Sequence, residues 1–271
     1  MKYLFPNSKV LYQMKSIDEL LELAIGAALE AGKKILEVYE TDDFSVDMKS
    51  NNSPLTKADR VSHQIICDYL ESSQIPLLSE EGRDIPYEER KVWDYYWLID
   101  PLDGTKEFIK RNGEFTVNIA LMKGTAPVAG VVYAPCLEAL YYGANGYGAH
   151  KIKNGKAGSL PVAESIEMQY LLQKESVTIV ASRSHSNAET EAFINRFKGH
   201  ELQSMGSSLK FMLLADGVAD IYPRLAPTME WDTAAAHAIL NAVNRKVYQV
   251  DLSAELFYNK ADLLNPSFIA F

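Results

Sequence analysis

The chain is poor in cysteine, in long apolar runs, in repeats and in positive charge. Its 271 residues include only Cys67 and Cys136, and neither stands in a CxxC pair. That excludes a disulfide framework and a cysteine-rich zinc site. Both read as reduced core residues of a protein in a reducing compartment. No apolar run approaches the roughly 18–20 residues that span a bilayer, and the first ten residues lack the apolar core of a secretory signal. The expected location is therefore cytoplasmic. There is no internal repeat and no low-complexity tract. Lys and Arg number 27 against 36 Asp and Glu, a net charge of −9. Such a chain has no general electrostatic footprint for nucleic acid. An anionic substrate would need a local reversal of sign, which divalent cations held by carboxylates can supply.

Hydrophobic residues make up 47% of the chain, enough for a sizeable core. Ser16 and Glu19 have capping-box spacing, and Ile17, Leu20, Leu21, Ala24, Ala28, Ala31 and Ile35 then recur at helical spacing. The pattern predicts a helix over 16–40 and a second over 58–72. Phe44, Val46 and Met48 alternate with polar residues as in a half-buried strand. Further strands are expected at 75–79, 96–99, 115–122, 128–133, 139–142 and 148–152. Asn154-Gly155 is a strong turn signal, and a subdomain boundary is placed there. Beyond it strands at 177–181, 201–205, 218–222 and 246–250 alternate with helices at 188–197, 208–215 and 233–241, as in an α/β layer. The expected organisation is one catalytic unit over 1–271, with an α+β half over 14–154 and an α/β half over 155–271. Residues 1–13 read as an extension, with Met14 an alternative start.

Three acidic sites stand out. In Asp100-Pro101-Leu102-Asp103-Gly104-Thr105 an apolar strand runs into two carboxylates. Carboxylate oxygens are the ligands Mg²⁺ prefers, and Pro101 and Gly104 suit a tight turn. A helix starting at Gly104 or Thr105 could hold phosphate on its free N–H groups. Glu80 and Glu81 end another apolar stretch, and Glu81 reads rather as a solvated loop residue. Trp231-Asp232 precedes an Ala-rich helix. Taken singly, Asp103 and Asp232 also read as helix caps; the informative feature is the combination in this order.

That combination resembles the inositol monophosphatase superfamily over nearly the whole chain from about Met14. Lys106-Glu107-Phe108 after the Asp-Gly-Thr, the run from Arg111 to Leu121 and Met205-Gly206-Ser207-Ser208 resemble its CysQ-type branch, the 3′(2′),5′-bisphosphate nucleotidases. Where inositol monophosphatases place a sugar-binding Glu, this chain has Arg224 nearby, a departure that favours a substrate with a second phosphate. The resemblance implies a layered α-β-α-β-α sugar-phosphatase fold. It implies two to three Mg²⁺ ions: one on Glu80, Asp100 and the Leu102 carbonyl, one on Asp100, Asp103 and Asp232, and a weaker third near Glu80 and Asp59. It also implies inhibition by Li⁺.

Asp59 would orient Thr105 for water activation, though Thr56-Lys57-Ala58-Asp59 also has capping-box spacing. Ser182 and His185 would lie near the ribose and 3′-phosphate. Ser207, Ser208 and Lys210 would face the nucleotide, with Gly104 and Thr105 beside the phosphate and Arg224 on the 5′-phosphate. The implied partner is a small nucleotide bisphosphate, and the implied reaction releases AMP and phosphate from adenosine 3′,5′-bisphosphate. Some members of the branch associate peripherally with the cytoplasmic face of the inner membrane. The alternatives are an inositol or other sugar phosphatase, or a degenerate regulator that binds without catalysis. His63, His150 and His200 read as structural or exposed, and His237 as packed.

Overall fold

The computed structural model describes residues 15–41, 44–48, 54–181 and 187–271. The first helix, α1 (Ile17–Tyr39), begins where its capping box places it. The Ser16 N–H donates to Glu19 Oε2 at 2.7 Å, and the Glu19 N–H donates to Ser16 Oγ at 3.2 Å. Two short strands follow, β1 (Asp47–Met48) and β2 (Pro54–Leu55), then α2 (Lys57–Glu71). The half-buried strand expected at 44–48 shrinks to β1, and Val46 and Met48 are 47% and 64% exposed. β1 pairs only with the two-residue β2, so no sheet face is there to bury the alternating side chains.

The main sheet contains β3 (Leu77–Ser79), β4 (Tyr95–Asp103), β5 (Thr116–Lys123), β6 (Ala126–Ala134), β7 (Ala139–Ala144), β8 (Gly148–Lys153) and β9 (Lys156–Ser159), side by side in that order. A short helix α3 (Tyr87–Arg90) precedes β4, and α4 (Thr105–Ile109) follows it. Only β3 and β4 run parallel; the other neighbours are antiparallel hairpins. The Asn154-Gly155 turn joins β8 to β9 inside this sheet.

Period-two alternation then sorts the side chains to two faces. Trp97, Ile99, Val117, Ile119 and Leu121 pack against α1 and α2. Tyr96, Leu98, Ala120 and Met122 face the opposite way, toward α7 (Leu209–Ala215) and α8 (Ala234–Ala242).

The second sheet lies beyond those helices. It combines β10 (Val177–Ala181) and β11 (His200–Ser204), which run parallel, with β12 (Tyr222–Arg224), β13 (Val247–Gln249) and β14 (Phe268–Ala270), ordered β12-β14-β13. The Ile179–Ile221 bridge joins the two groups. α5 (Met168–Gln173) and α6 (Ala188–Ile194) cover its outer face, burying Leu171, Ile179, Phe193 and Ile269. Helices, sheet, helices, sheet, helices: the layered α/β architecture expected from the sequence is present.

The strand expected at 218–222 begins only at Tyr222. Gly217 has φ +71°, and the Val218 and Ala219 N–H groups both donate to the Leu213 carbonyl, so 217–219 wraps the end of α7. Both cysteines are free, as expected, but half-buried rather than in the core. No described helix is long and apolar enough to cross a membrane.

Candidate active site

β4 carries its apolar residues into the core and ends on acid. Its register against β5 breaks between Asp100 and Asp103, where Pro101, which has no N–H to donate, is tolerated. Asp100 is 2% exposed, and its Oδ1 accepts from the Leu102 N–H at 3.1 Å. Burial pushes its carboxyl well above the usual range; Glu80, Asp103 and Asp232 push it further, and Glu80 shares a hydrogen bond with it. β3 delivers Glu80, whose N–H donates to the Ile99 carbonyl at 3.1 Å. Asp232 lies on a single 3-10 turn before α8. Its carboxyl is raised by burial, then by Asp103 and Glu80, against the pull of the Met229 N–H.

Neither aspartate caps the helix that follows it. α4 and α8 have no side-chain cap hydrogen bond. Asp103 instead turns Oδ2 to four donors: Ser207 Oγ at 2.6 Å, the Ser208 N–H at 2.7 Å, Ser208 Oγ at 2.9 Å and Asn118 Nδ2 at 3.3 Å. Gly104 makes the turn into α4 at φ +95°, where a Cβ would stand 3.2 Å from the Glu114 carbonyl. α4 has only five residues, so the phosphate-binding helix end expected from the sequence is a single turn with little dipole.

Asp59 does both things its sequence context offered. Oδ2 accepts from the Thr56 N–H at 2.7 Å, completing the capping box, while Oδ1 accepts from the Thr105 hydroxyl at 3.1 Å. The Thr105 hydroxyl also lies 3.4 Å from the Leu102 carbonyl.

Could these residues hold a metal? Glu80, Asp100, Asp103, Asp232 and the Leu102 carbonyl form an all-oxygen donor set suited to a hard divalent cation. A cation beside them would favour the ionised forms of Asp100 and Asp232, which burial and neighbouring carboxylates disfavour. Among the described residues no three His, Cys, Asp or Glu side chains already form a closed cluster. The fit rests on donor chemistry and on the raised carboxyls.

A cleft of about 130 Å³ opens beside Asp103 and Asp232. Gly104, Ser207, Ser208, Lys210 and Arg224 line it; Glu80, Asp100, Asp59 and Thr105 do not. Lys210 donates to the Ser207 carbonyl at 2.7 Å, and burial pushes its ammonium down to about 8. Arg224 donates to the Pro227 carbonyl at 3.2 Å, and its Nε is buried with no hydrogen-bond partner among the described residues. Ser182 and His185 lie outside the described residues.

Sequence reasoning passed over Glu107, Tyr222 and Phe268, which also line the cleft. It also passed over Thr116 and Asn118, buried polar residues of β5 beside Ser207 and Ser208. The available signal was two polar residues at period two in an otherwise apolar strand. His237 is packed, as expected, 1% exposed with Nδ1 3.0 Å from the Tyr258 hydroxyl.

Comparison with known proteins now has a fold and a site to explain. A profile described as the inositol monophosphatase family matches residues 16–270. The chain belongs to the inositol monophosphatase family. A family relative from Escherichia coli (strain K12), the 3′(2′),5′-bisphosphate nucleotidase CysQ, is 42% identical over 92% of this chain and 98% of its own. The protein of that name from Haemophilus influenzae is 32% identical over 93% of this chain and 92% of its own. A crystal structure of CysQ from Bacteroides thetaiotaomicron, described as a bacterial member of the family, superposes with a TM-score of 0.82 at 46% identity, covering 94% and 97% of the two chains. An inositol monophosphatase from Anabaena superposes at 0.72 and 24% identity over 94% and 91%, which shows the shared fold alone.

Proposed function

We propose that this chain is a Mg²⁺-dependent 3′(2′),5′-bisphosphate nucleotidase that hydrolyses the 3′-phosphate of adenosine 3′,5′-bisphosphate to AMP and phosphate. The observation that carries the reading is a cleft lined by the acids Asp103 and Asp232 together with the cations Lys210 and Arg224. The relatives named above act on substrates of the same class. Glu80, Asp100, Asp103, Asp232 and the Leu102 carbonyl would hold two Mg²⁺ ions, with a third near Glu80 and Asp59. When bound, divalent cations supply the positive charge that draws in the scissile phosphate and offsets charge developing on the leaving oxygen.

The protein groups do the rest by positioning and proton movement. Asp59 Oδ1 holds the Thr105 hydroxyl hydrogen, which leaves the Thr105 oxygen free to accept a hydrogen bond from the attacking water. As that water attacks, its proton passes toward Thr105 and the Thr105 proton toward Asp59. Asp59 stays in place because Thr56 anchors its other oxygen. Arg224 and Lys210 receive the 5′-phosphate, where guanidinium and ammonium suit a second anionic group.

Phosphate release from nucleotide bisphosphates, inositol phosphates and sugar phosphates, each with Mg²⁺ and with chelator, tests the assignment. Bisphosphate nucleotides should be turned over fastest and chelation should abolish turnover; a preference for inositol monophosphate would overturn the substrate reading. Arg224→Ala should raise KM for the bisphosphate by about tenfold or more, the loss of a charged hydrogen bond, and should change KM for a monophosphate much less. Equal losses on both would place Arg224 at the scissile phosphate or in a structural role.

A further inference from the structure

Among the described residues, Asp103 is held by hydrogen bonds to one oxygen. Its Oδ2 accepts from Ser207, Asn118 and both donors of Ser208, while Oδ1 takes part in none of these bonds. The donors come from two layers of the fold: Asn118 from β5 in the main sheet, and Ser207 and Ser208 from the loop entering α7. Each is held in turn. Thr116 Oγ1 donates to Asn118 Oδ1 at 3.0 Å, and Asn118 Nδ2 reaches Ser208 Oγ at 2.9 Å. Ser208 Oγ also lies 2.9 Å from the backbone carbonyl of Asp232, the other aspartate beside the cleft.

The loop itself is under constraint. Ser207 has φ +51°, a left-handed conformation that costs a non-glycine residue energy and persists only where surroundings impose it. The surroundings are visible. The Gly206 N–H donates to Glu114 Oε2 at 2.8 Å, and the Lys210 ammonium holds the Ser207 carbonyl at 2.7 Å. A Cβ on Gly206 would stand 2.7 Å from the Glu114 carbonyl, so the loop seats directly on the main-sheet half.

We infer that Ser207, Ser208 and Asn118 are positioning residues that aim Asp103 Oδ1 at the metal. This rests on the metal-dependent reading of the site given above. Four donors on one oxygen fix the carboxylate plane and leave the second oxygen as the ligating atom. Hydrogen-bonded support of this kind is what orients ligating carboxylates generally, and its loss costs about 10–100-fold in metal affinity.

The test is direct binding of Mn²⁺, followed by electron paramagnetic resonance on the full chain without substrate. Ser208→Ala and Asn118→Ala should each weaken Mn²⁺ binding by about 10–100-fold. In an Asp103→Asn background the Ser208→Ala change should have little further effect, because its route to the metal has been removed. A general loosening of the fold would instead weaken binding equally in both backgrounds, and that outcome overturns the inference. So does wild-type Mn²⁺ affinity in Ser208→Ala with a raised KM, which makes Ser208 a substrate contact. A melting temperature near wild type identifies variants fit for comparison, and Ser207→Ala replaces any that fails to fold. Wild-type protein that binds no Mn²⁺ would remove the metal-dependent reading and this inference with it, and it is recognised before any variant is made.

Discussion

On the proposed mechanism, Asp59 serves stability and chemistry at once. One oxygen closes the capping box of α2 and the other takes the Thr105 hydroxyl. Asn can still accept from Thr56, so Asp59→Asn should keep most of the capping contribution, itself about 0.5–2 kcal/mol. It cannot take up a proton, so kcat should fall by about 10²–10³. Thr105→Ala should lose a similar factor, and the double variant should be little worse than the worse single, as for groups acting as a unit. Measured kcat values beside melting temperatures decide this; losses that multiply would mean the two residues act independently. Lys210 gives a second outcome at this scale. Burial, opposed by Asp103 and aided by Arg224, lowers its ammonium to about 8. The charge is present below that pH and disappears as pH rises through it. KM for the bisphosphate should therefore climb above about pH 8, and Lys210→Arg, which retains charge, should remove that limb of the KM–pH profile. A limb that survives in the Arg variant would assign it to another group.

Among the elements, the contact of β6 with α8 decides where Asp232 stands. Gly130 lets the α8 backbone approach the sheet: a Cβ there would be 2.1 Å from the Ala235 carbonyl. Helical backbone cannot yield as a side-chain tip can. Gly130→Ala should cost about 1–3 kcal/mol as overpacking. Because Asp232 lies just ahead of α8, the same change should also lower kcat without altering any site residue. Thermal melts and kcat measure both effects; no change in either would show that α8 can slide on the sheet. Element boundaries were legible where a local signal exists. Ser16 and Glu19 marked the start of α1, and short strand-like segments marked β4 through β8. β14 was not legible, although it is the middle strand of β12-β14-β13. Its three residues, Phe268–Ala270, are all buried, so no alternation betrays them. The strand pattern at 44–48 was legible but misleading, since alternation describes a strand only if a sheet is there to receive it.

Over the whole molecule, a net charge of −9 and buried carboxylates that face one another predict that added cations raise stability. Burial, reinforced by neighbouring carboxylates, raises Asp100 and Asp232 in the folded chain. At these two groups the folded state holds protons more tightly than the unfolded state. Without metal, their contribution to stability is therefore full below the ordinary carboxylate range, about pH 4, and is lost as pH rises past it. A bound cation favours the ionised carboxylates and opposes that fall. The rise in melting temperature on adding Mg²⁺ should thus grow from about pH 5 to about pH 8, by the usual mass-action stabilisation of the folded state. A rise of equal size at every pH would separate metal binding from these two carboxyls.

The sequence by itself determined the acidic motifs, their order, the capping boxes and the apolar runs of the main sheet. Each is written in spacings of a few residues, and backbone geometry converts such spacings directly into shared faces and helix ends. Tertiary structure decided what those residues touch. Asp59 meets Thr105 across 46 positions, and Asp103 meets Ser208 across 105. Contacts at that separation depend on how five layers stack and on the close approaches at Gly130 and Gly206. No local spacing records them. Sequence spacing could propose Asp103 as a helix cap or a metal ligand; only the packing of the β5 strand against the loop before α7 turned one of its oxygens inward and left the other free.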